Sequence, residues 1–582
     1  MKQRNLTEIA GRAIRRGDWR VFDMLNIGNV RRSTVYRSES EPSYVCWSIL
    51  WREQGGVLKL SFTEVQGDLA EWPPSYQFNR PGVSYYLKTL VSEDGGATWR
   101  DTGWKEPLDP DWASNADHHI RHVVELPDGT LLRNYCRTAE GIVVDGTKAV
   151  YDEMKAWEEY PFNELHGTPI RKKAATIWAS KDKGRTWEEI YRFPREEHFF
   201  VTGFHRLRDG TIVAVGAVNP DHVNAFEKNW TAIAESRDDG KTWSKPQKLL
   251  TNDDYILPQG LCEEYDFVEL DDGRLLMVMR TDGLSMHMLQ TYLQRDKDGV
   301  WRATPPATNP LFRHSGYPYL HRAGDGTVFF YTLYGLLYSC DDGRTWHEYP
   351  IGNSYYGQLT EIAPGRMLAV SQQYIGDAAF PYVHDTSIVQ TTFDFSRTGV
   401  LEQTNADLSE AFLELDERDF TRFHLFAEMR ADGETGIVFA RRGDDYHFAV
   451  VGVPCNDFRA PGAAAGREQN AYLMYGKKEN GRITVLRRVF FERLLPSSWV
   501  AVQVAMADGT VKIAVKKGAG SPAKYLVVRD DFAPGKIGVF TNRSTGAFRN
   551  VILAEEARPL RDHWGDYADA IGSTVLMREK QY

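Results

Sequence analysis

The chain has 582 residues, of which 42% are hydrophobic and 26% are charged, and its formal net charge is −10. A chain of this length exceeds a single hydrophobic core, so we expect two or more domains. The acidic balance argues against a nucleic-acid partner, and the absence of any run of about 18 apolar residues argues against a membrane-spanning helix.

The N-terminal segment, up to about Gly17, carries apolar residues at helical spacing but lacks the apolar core of a secretory signal. We therefore expect a short helical lead-in. The protein is then either cytoplasmic, or secreted or periplasmic with a signal peptide that is absent from this sequence. From Ser33 onward the pattern changes to short strands, beginning with residues 44–51 and 57–62.

One phrase, Ser-x-Asp-x-Gly-x-Thr-Trp, occurs four times, at residues 92–99, 180–187, 236–243 and 339–346. Its Ser and Asp side chains suit hydrogen bonds to a turn's own backbone, and its Gly suits a positive φ. Thr and Trp favour the strand that leaves the turn. Four copies in one chain indicate a repeat architecture.

A second phrase, an Asp-Gly or Gly turn between two apolar segments, alternates with the first. It recurs at residues 128–129, 209–210, 272–273, 325–326 and 364–365. Together the two phrases predict four antiparallel strands per unit, which is one blade of a β-propeller. Six such units predict a six-bladed β-propeller in residues 1–398. A long loop in the second unit, 141–171, has the length of a functional loop.

After about Gly399 the repeat ends and closely spaced short strands follow, such as 423–429, 499–505 and 510–515. This pattern predicts a β-sandwich in residues 399–582, so the whole chain is expected to be all-β. The strand order and the phrase at 536–541 resemble a concanavalin-like jelly roll, which implies a carbohydrate-binding or structural domain.

The four Ser-x-Asp-x-Gly-x-Thr-Trp turns resemble the Asp boxes of the sialidase superfamily, whose members are six-bladed propellers. The resemblance covers roughly the first two-thirds of the chain. It implies that the boxes lie on the outside of the blades. Function must therefore be sought at the axis, where the first strand of each blade begins.

At the axis, the resemblance implies three site residues. Glu264 stands where sialidases carry a catalytic glutamate, Arg280 where they carry an arginine, and Tyr356 where they carry a nucleophilic tyrosine. A phenol with a pKa of about 10 needs a neighbouring carboxylate to attack at neutral pH, which is the implied role of Glu264. A neutral nucleophile also suits an anionic sugar, because it does not repel the substrate's carboxylate.

The chain also departs from the sialidase pattern. Sialidases hold the substrate carboxylate with three arginines, but the segment before the last Asp box, 330–338, contains none. Arg37 is the candidate for the first arginine. Arg137 occupies a position in the second unit close to the one that Arg280 has in the fourth. The acid of the first blade has two loose candidates, Glu64 and Asp68.

Other residues are expected near the axis. His118 and His119 precede the first strand of the second unit and are candidates for an acid/base pair. Asp266 and Tyr317, at the starts of inner strands, are candidate substrate contacts. No metal site is predicted, because His122 follows on a strand without a supporting acidic cluster, and no cofactor is predicted.

Three function classes remain open. The leading prediction is a sialidase-like exo-glycosidase that removes a terminal, anionic sugar from a glycan by a tyrosine nucleophile. The second is a polysaccharide lyase, in which His118 or Tyr356 abstracts a proton next to a uronate carboxylate that Arg280 neutralises. The third is a glycan-binding protein without catalysis.

Overall fold

The computed structural model describes most of the chain between residues 19 and 555. The described residues are 19–41, 43–67, 83–107, 122–138, 173–194, 199–218, 230–251, 261–281, 287–313, 317–332, 335–349, 351, 355–374, 386–431, 433–453, 471–491, 494, 499–517 and 523–555. Within these ranges the regular structure consists of strands, as predicted, and no helix there has the length and apolar character that a membrane crossing requires.

The chain divides into two compact units, one formed by residues 30–394 and the other by residues 1–29 together with 395–582. The domain boundary that the sequence analysis placed between residues 398 and 399 stays a prediction. The predicted helical lead-in lies outside the described residues, which begin with a long strand, β1 (Trp19–Tyr36). Strand structure thus begins earlier than the expected Ser33.

The described strands of the 30–394 unit form antiparallel sheets, in which each strand pairs with the next one along the chain. The first sheet contains β2 (Tyr44–Arg52), β3 (Leu58–Gly67), β4 (Val83–Ser92) and β5 (Arg100–Pro107). The second contains β6 (Val123–Glu125), β7 (Leu131–Thr138), β8 (Lys173–Ser180) and β9 (Glu188–Arg192). The third contains β10 (Phe199–Arg206), β11 (Ile212–Val218), β12 (Trp230–Ser236) and β13 (Gln247–Leu250).

Three further sheets follow in the same unit. The fourth contains β14 (Leu261–Glu269), β15 (Leu275–Thr281), β16 (His287–Arg295) and β17 (Trp301–Ala303), with β18 (Ala307–Arg313) also paired to β16. The fifth contains β19 (Leu320–Arg322), β20 (Val328–Thr332), β21 (Gly335–Ser339) and β22 (His347–Tyr349). The sixth contains β23 (Tyr355–Ala363), β24 (Arg366–Tyr374) and β25 (Thr386–Gln403), and β1 pairs with β25.

The first strands of these sheets follow one another in a closed order. Contacts join β2 to β6, β6 to β10, β10 to β14, β14 to β19, β19 to β23, and β23 back to β2. Because each sheet is antiparallel, the start of its first strand and the end of its second strand lie at the same edge. Side chains from the starts of different first strands are therefore brought towards a common centre.

The Ser-x-Asp-x-Gly-x-Thr-Trp turns share one hydrogen-bond pattern. In the first turn, the backbone N–H and the hydroxyl of Thr98 donate to Asp94 at 2.8 and 2.6 Å, and the N–H of Gly96 donates to the Ser92 hydroxyl at 2.8 Å. The other three turns repeat these bonds. The bonds from Thr98 hold the pKa of Asp94 at about 2.

The turns also lie against the preceding sheet. Gly96 has a φ of 88°, and a Cβ there would come within 2.1 Å of Leu368 in the sixth sheet. Gly343 of the fifth sheet is similarly close to Leu276 of the fourth. Glycine is required at these positions because the backbone is left-handed and the neighbouring sheet leaves no room for a side chain.

The second unit contains two sheets. One has the order β26 (Ala411–Glu414), β35 (Lys536–Asn542), β28 (Glu434–Arg442), β29 (Asp445–Gly452), β30 (Tyr472–Glu479) and β31 (Arg482–Phe490). The other has the order β36 (Gly546–Ala554), β27 (Phe423–Ala431), β32 (Trp499–Ala507), β33 (Thr510–Lys516) and β34 (Lys524–Arg529), and β36 also pairs with residues 400–403 at the end of β25.

A single hydrophobic core draws on both sheets of this unit. Phe439 and Val539 contribute from one sheet, and Phe423, Val502 and Phe548 from the other, all fully buried. Along β27, every second residue from Phe423 to Ala431 belongs to this core, because successive side chains of a strand point to opposite faces. This is the arrangement of a two-sheet β-sandwich.

We expect Trp243→Ala to destabilise the fold by about 3 kcal/mol, the low end for a buried tryptophan, because Trp243 is only half-buried. Its ring lies 5.5 Å from the ring of Phe193, the residue that follows β9, and 6.0 Å from the ring of Phe204 in β10. Chemical denaturation measures the loss, with the exposed Lys241→Ala in the same turn as the control. An unchanged free energy of unfolding in Trp243→Ala would contradict this role.

Candidate active site

Two of the residues predicted at the axis, Tyr356 and Glu264, lie within hydrogen-bond distance of each other. The hydroxyl of Tyr356, near the start of β23, donates to Oε1 of Glu264, near the start of β14, at 3.1 Å. Both side chains are buried. The contact joins the sixth sheet to the fourth, so it depends on the convergence of first strands and not on sequence proximity.

Arg280 completes this group from the end of β15, the strand beside Glu264. One of its guanidinium nitrogens forms an ion pair with the other carboxylate oxygen of Glu264, Oε2. The carboxylate is thus held on both sides, by a phenol and by a guanidinium. The sequence did not predict this pair with Glu264, and the expected contact of Arg280 with the substrate stays a prediction.

Irregular backbone sets the directions of the Glu264 and Tyr356 side chains. The register of β14 shifts between Leu261 and Tyr265, and that of β23 shifts between Tyr355 and Gln358. Tyr356 itself has a φ of 52°, a left-handed conformation that is costly for an aromatic residue, by about 1–3 kcal/mol. Bulges of this kind redirect a side chain away from the regular alternation of a strand.

Tyr317 packs against the Tyr356 ring. The two rings lie 6.5 Å apart in a stacked orientation, and the Tyr317 hydroxyl donates to the backbone oxygens of Thr202 and, at 3.2 Å, of Tyr265. Because Tyr317 is only 2% exposed, it presents no surface to a substrate. The expected substrate contact at Tyr317 is therefore corrected to a packing role.

Asp266 is likewise buried, with no exposed surface, and its carboxylate is occupied by protein groups. Oδ1 lies 2.7 Å from Nε2 of His205 and 3.3 Å from Nε2 of His122. Oδ2 accepts the backbone N–H of Leu320 at 2.7 Å. Burial alone would raise the pKa of Asp266, but the two imidazoles outweigh it and hold the pKa below its usual range. The predicted substrate contact at Asp266 is corrected accordingly.

Aromatic and imidazole rings surround these two histidines. The ring of Tyr319 stacks on that of His122 at 5.3 Å. Burial, followed by the neighbouring His205, lowers the pKa of His321 to about 4, so this imidazole is neutral at physiological pH. Sequence reasoning considered His122 without an acidic partner. The signal that could have supplied one is the position of Asp266, two residues after Glu264 in the same strand.

Glu64, a loose candidate for the catalytic acid, is buried in a separate polar cluster. Its Oε1 accepts the hydroxyls of Tyr36 at 2.6 Å and of Ser38 at 2.9 Å, and Nζ of Lys105 lies 3.5 Å from Oε2. Burial would raise the pKa of Glu64, but the hydrogen bond from Tyr36 and the others outweigh it and lower the pKa. A general acid needs a raised pKa, so this environment does not suit Glu64 to donate a proton at neutral pH.

The structure does not bring the remaining candidate site residues into contact with Glu264 or Tyr356 within the part of the chain that it describes. The guanidinium of Arg37 pairs with Glu41 at 3.3 Å. Arg137 lies in β7 opposite Ala174 of β8, and its side chain is outside the described part of the structure. The candidates His118, His119 and Asp68, together with the long loop 141–171, also lie outside the described residues.

No protein-family model and no curated protein matches this sequence. The structure is similar to a protein of unknown function from Dyadobacter fermentans (16% identity, TM-score 0.45, covering 63% of this chain and 99% of that one). It is also similar to the GH93 α-L-arabinofuranosidase of Fusarium graminearum, at 14% identity and a TM-score of 0.40, covering 63% of this chain and 98% of that one. A further similar structure is the sialidase of Trypanosoma rangeli, at 12% identity and a TM-score of 0.38, covering 94% of this chain and 99% of that one. With TM-scores below 0.5, these similarities say nothing about the substrate of this chain.

We expect Glu64→Gln to cost stability in a pH-dependent way. The pKa of Glu64 is lower in the folded chain than its ordinary 4.5, so its contribution is present above about pH 4.5 and is lost as the pH falls through the folded-state value. The difference in Tm between wild type and Glu64→Gln should therefore shrink on acidification, while the exposed Glu188→Gln serves as the control. A difference that stays constant from pH 7 to below pH 4 would contradict the lowered pKa.

Proposed function

We propose that this chain is a retaining exo-glycosidase that hydrolyses a terminal, anionic sugar, with Tyr356 as the nucleophile and Glu264 as its base. The observation that carries the proposal is the 3.1 Å hydrogen bond from the Tyr356 hydroxyl to the Glu264 carboxylate. A phenol is a weak nucleophile at neutral pH, and a carboxylate at this distance is positioned to take its proton.

We propose further that residues 30–394 form a six-bladed β-propeller and that the second unit is a jelly roll. Support for the propeller comes from the closed order of contacts among the first strands and from the recurrence of one turn structure in four of the sheets. In such a fold the centre is where loops and strand starts from different blades meet, and the Tyr356–Glu264 pair lies among those strand starts.

The first chemical step follows from the pair. As the Tyr356 oxygen bonds to the anomeric carbon, its proton passes to Glu264, and the bond from that carbon to the leaving oxygen breaks. In the second step water attacks the anomeric carbon, the bond to Tyr356 breaks, and Glu264 returns the proton to the phenolate. Two displacements at one carbon retain the anomeric configuration.

The leaving oxygen also needs a proton in the first step. Glu64 is poorly suited to this role because its pKa is lowered. We propose His118 or His119 as the acid, because the sequence places them immediately before the first strand of the second sheet. An imidazole with a pKa near neutrality can donate a proton in the first step and accept one from water in the second.

The preference for an anionic sugar rests on Tyr356 and Arg280. A neutral phenol does not repel a carboxylate on the substrate, as an aspartate nucleophile would. Arg280 brings a positive charge to the site, and guanidinium groups form strong, charge-assisted hydrogen bonds with carboxylates. The side chain of Arg280 is 17% exposed, which leaves part of it accessible.

We expect Tyr356→Phe and Glu264→Gln each to lower kcat by about two orders of magnitude or more, with folding stability within about 1 kcal/mol of wild type. The first change removes the attacking oxygen and the second removes the base, while both keep the shape of the side chain. The assay is hydrolysis of a panel of aryl glycosides that includes sialosides and uronides. The matched control is Tyr292→Phe, at a half-buried tyrosine whose hydroxyl donates to the backbone oxygen of Asp342. Full activity of Tyr356→Phe would exclude the tyrosine mechanism.

Arg280→Gln should lower kcat on every substrate of the panel that wild type hydrolyses, charged or neutral. The reason is that the change leaves the buried carboxylate of Glu264 without its cation, which disturbs the base itself. An arginine that only bound the substrate's carboxylate would instead raise KM for anionic substrates and leave neutral ones unaffected. Steady-state kinetics on one anionic and one neutral aryl glycoside separate the two roles.

A uronate lyase is the second candidate, because the same geometry places a phenol, its base and a guanidinium together. In that reaction the Tyr356 oxygen would take the proton next to the uronate carboxylate as its own proton passes to Glu264. The leaving oxygen would depart with a proton from His118 or His119 as the carbon–carbon double bond forms. Ultraviolet absorbance of the unsaturated product, measured on uronic-acid polysaccharides, distinguishes the lyase from the hydrolase. Saturable sugar binding without turnover in either assay would indicate a glycan-binding protein.

A further inference from the structure

A second polar group, which the proposed hydrolysis does not use, lies at the centre of the 30–394 unit. It consists of His122, just before β6, His205 on β10, and Asp266 on β14. From the placement of these side chains we infer a binding site for one divalent transition-metal ion of the zinc class. The inference does not depend on the glycosidase proposal.

The donor atoms converge as a metal site requires. One ligand atom from each of the three residues lies within 4.8 Å of the other two. Tetrahedral coordination with bonds of about 2.0–2.1 Å separates ligand atoms by roughly 3.3–3.4 Å. Nε2 of His122 is already 3.3 Å from Oδ1 of Asp266. Nε2 of His205 lies 2.7 Å from the same Oδ1 atom, so it would need to move away from that atom by only about 0.6 Å.

The donor set selects the class of ion. Two imidazole nitrogens and one carboxylate oxygen suit Zn²⁺ and neighbouring transition metals, whereas Ca²⁺ and Mg²⁺ prefer sites made of oxygen donors alone. Three protein ligands leave a fourth position for water. The side chain of His205 is 26% exposed, which gives the ion a route into an otherwise buried group.

Further contacts hold the carboxylate in place. Oδ2 of Asp266 accepts the backbone N–H of Leu320 at 2.7 Å, so Oδ1 remains turned towards the two imidazoles. The stacked ring of Tyr319 fixes the orientation of His122. Outer contacts of this kind orient metal ligands, and their loss typically lowers metal affinity by about 10–100-fold.

A bound ion here would join the second, third and fourth sheets through their first strands. It would also compensate the buried charge of Asp266. We therefore expect the ion to raise the stability of the folded chain, since a ligand that binds only the folded state stabilises it by mass action.

The test uses the full-length chain, treated with a chelator and then titrated with ZnCl₂ in an isothermal calorimeter, with thermal unfolding measured in parallel. We expect one saturable Zn²⁺ per chain and a raised Tm, with Mg²⁺ giving neither. Asp266→Asn and His205→Gln should each weaken Zn²⁺ binding by at least about 10–100-fold, the range for loss of an outer contact. His447→Gln, a histidine of the other unit that contacts Tyr475, should bind Zn²⁺ as wild type does.

A readout on the wild-type chain alone keeps the test decisive if the variants fold poorly. With CoCl₂ we expect the visible absorption of tetrahedral Co²⁺, without the charge-transfer band that a thiolate ligand would add. The proposal is overturned if wild type shows no saturable Zn²⁺ binding, or if it gives only the spectrum of octahedral Co²⁺. It is equally overturned if folded Asp266→Asn and His205→Gln bind Zn²⁺ as tightly as wild type.

Discussion

The buried carboxylate of Glu264 is the constraint on which the candidate site depends. A carboxylate in this position must be compensated, and the structure supplies the Tyr356 hydroxyl on one oxygen and the Arg280 guanidinium on the other. Each partner comes from a different strand. The bulges in β14 and β23 and the left-handed backbone of Tyr356 are the local irregularities that bring them together. The Tyr356 hydroxyl is consequently held at this carboxylate in the folded chain, and the proposed mechanism uses this preorganisation.

The repeated turns show how much of the architecture is readable from sequence. The Ser-x-Asp-x-Gly-x-Thr-Trp phrase specifies its own hydrogen bonds within eight residues, so the turns at Asp94 and Asp238 could be predicted without any knowledge of the fold. The all-β content and the strand pattern are confirmed for the same reason, because alternation and turn residues act locally. The pairing of Tyr356 with Glu264 was accessible only through resemblance to a known family, since nothing local links residues 92 positions apart.

What sequence reasoning missed are the contacts made across the centre. Asp266 and Tyr317 were assigned to the substrate because they begin inner strands, but packing decides the role of such residues, and both are buried against protein groups. The ion pair of Arg280 with Glu264, on the adjacent strand, was not predicted either. The association of His122, His205 and Asp266 was also missed, because it depends on which strand starts meet in the folded unit. The one signal in the sequence was the position of Asp266, two residues after Glu264.

The central claim is that Tyr356 becomes covalently bonded to the sugar, and mass spectrometry of a trapped intermediate tests it most directly. A fluorinated glycosyl fluoride of a sugar that the enzyme hydrolyses slows the second displacement and lets the glycosyl-enzyme accumulate. The account predicts a single added glycosyl mass on the peptide that contains Tyr356, lost when substrate turnover is allowed to resume. A label on any other residue, or stoichiometric inactivation with the Tyr356 peptide unmodified, would contradict it.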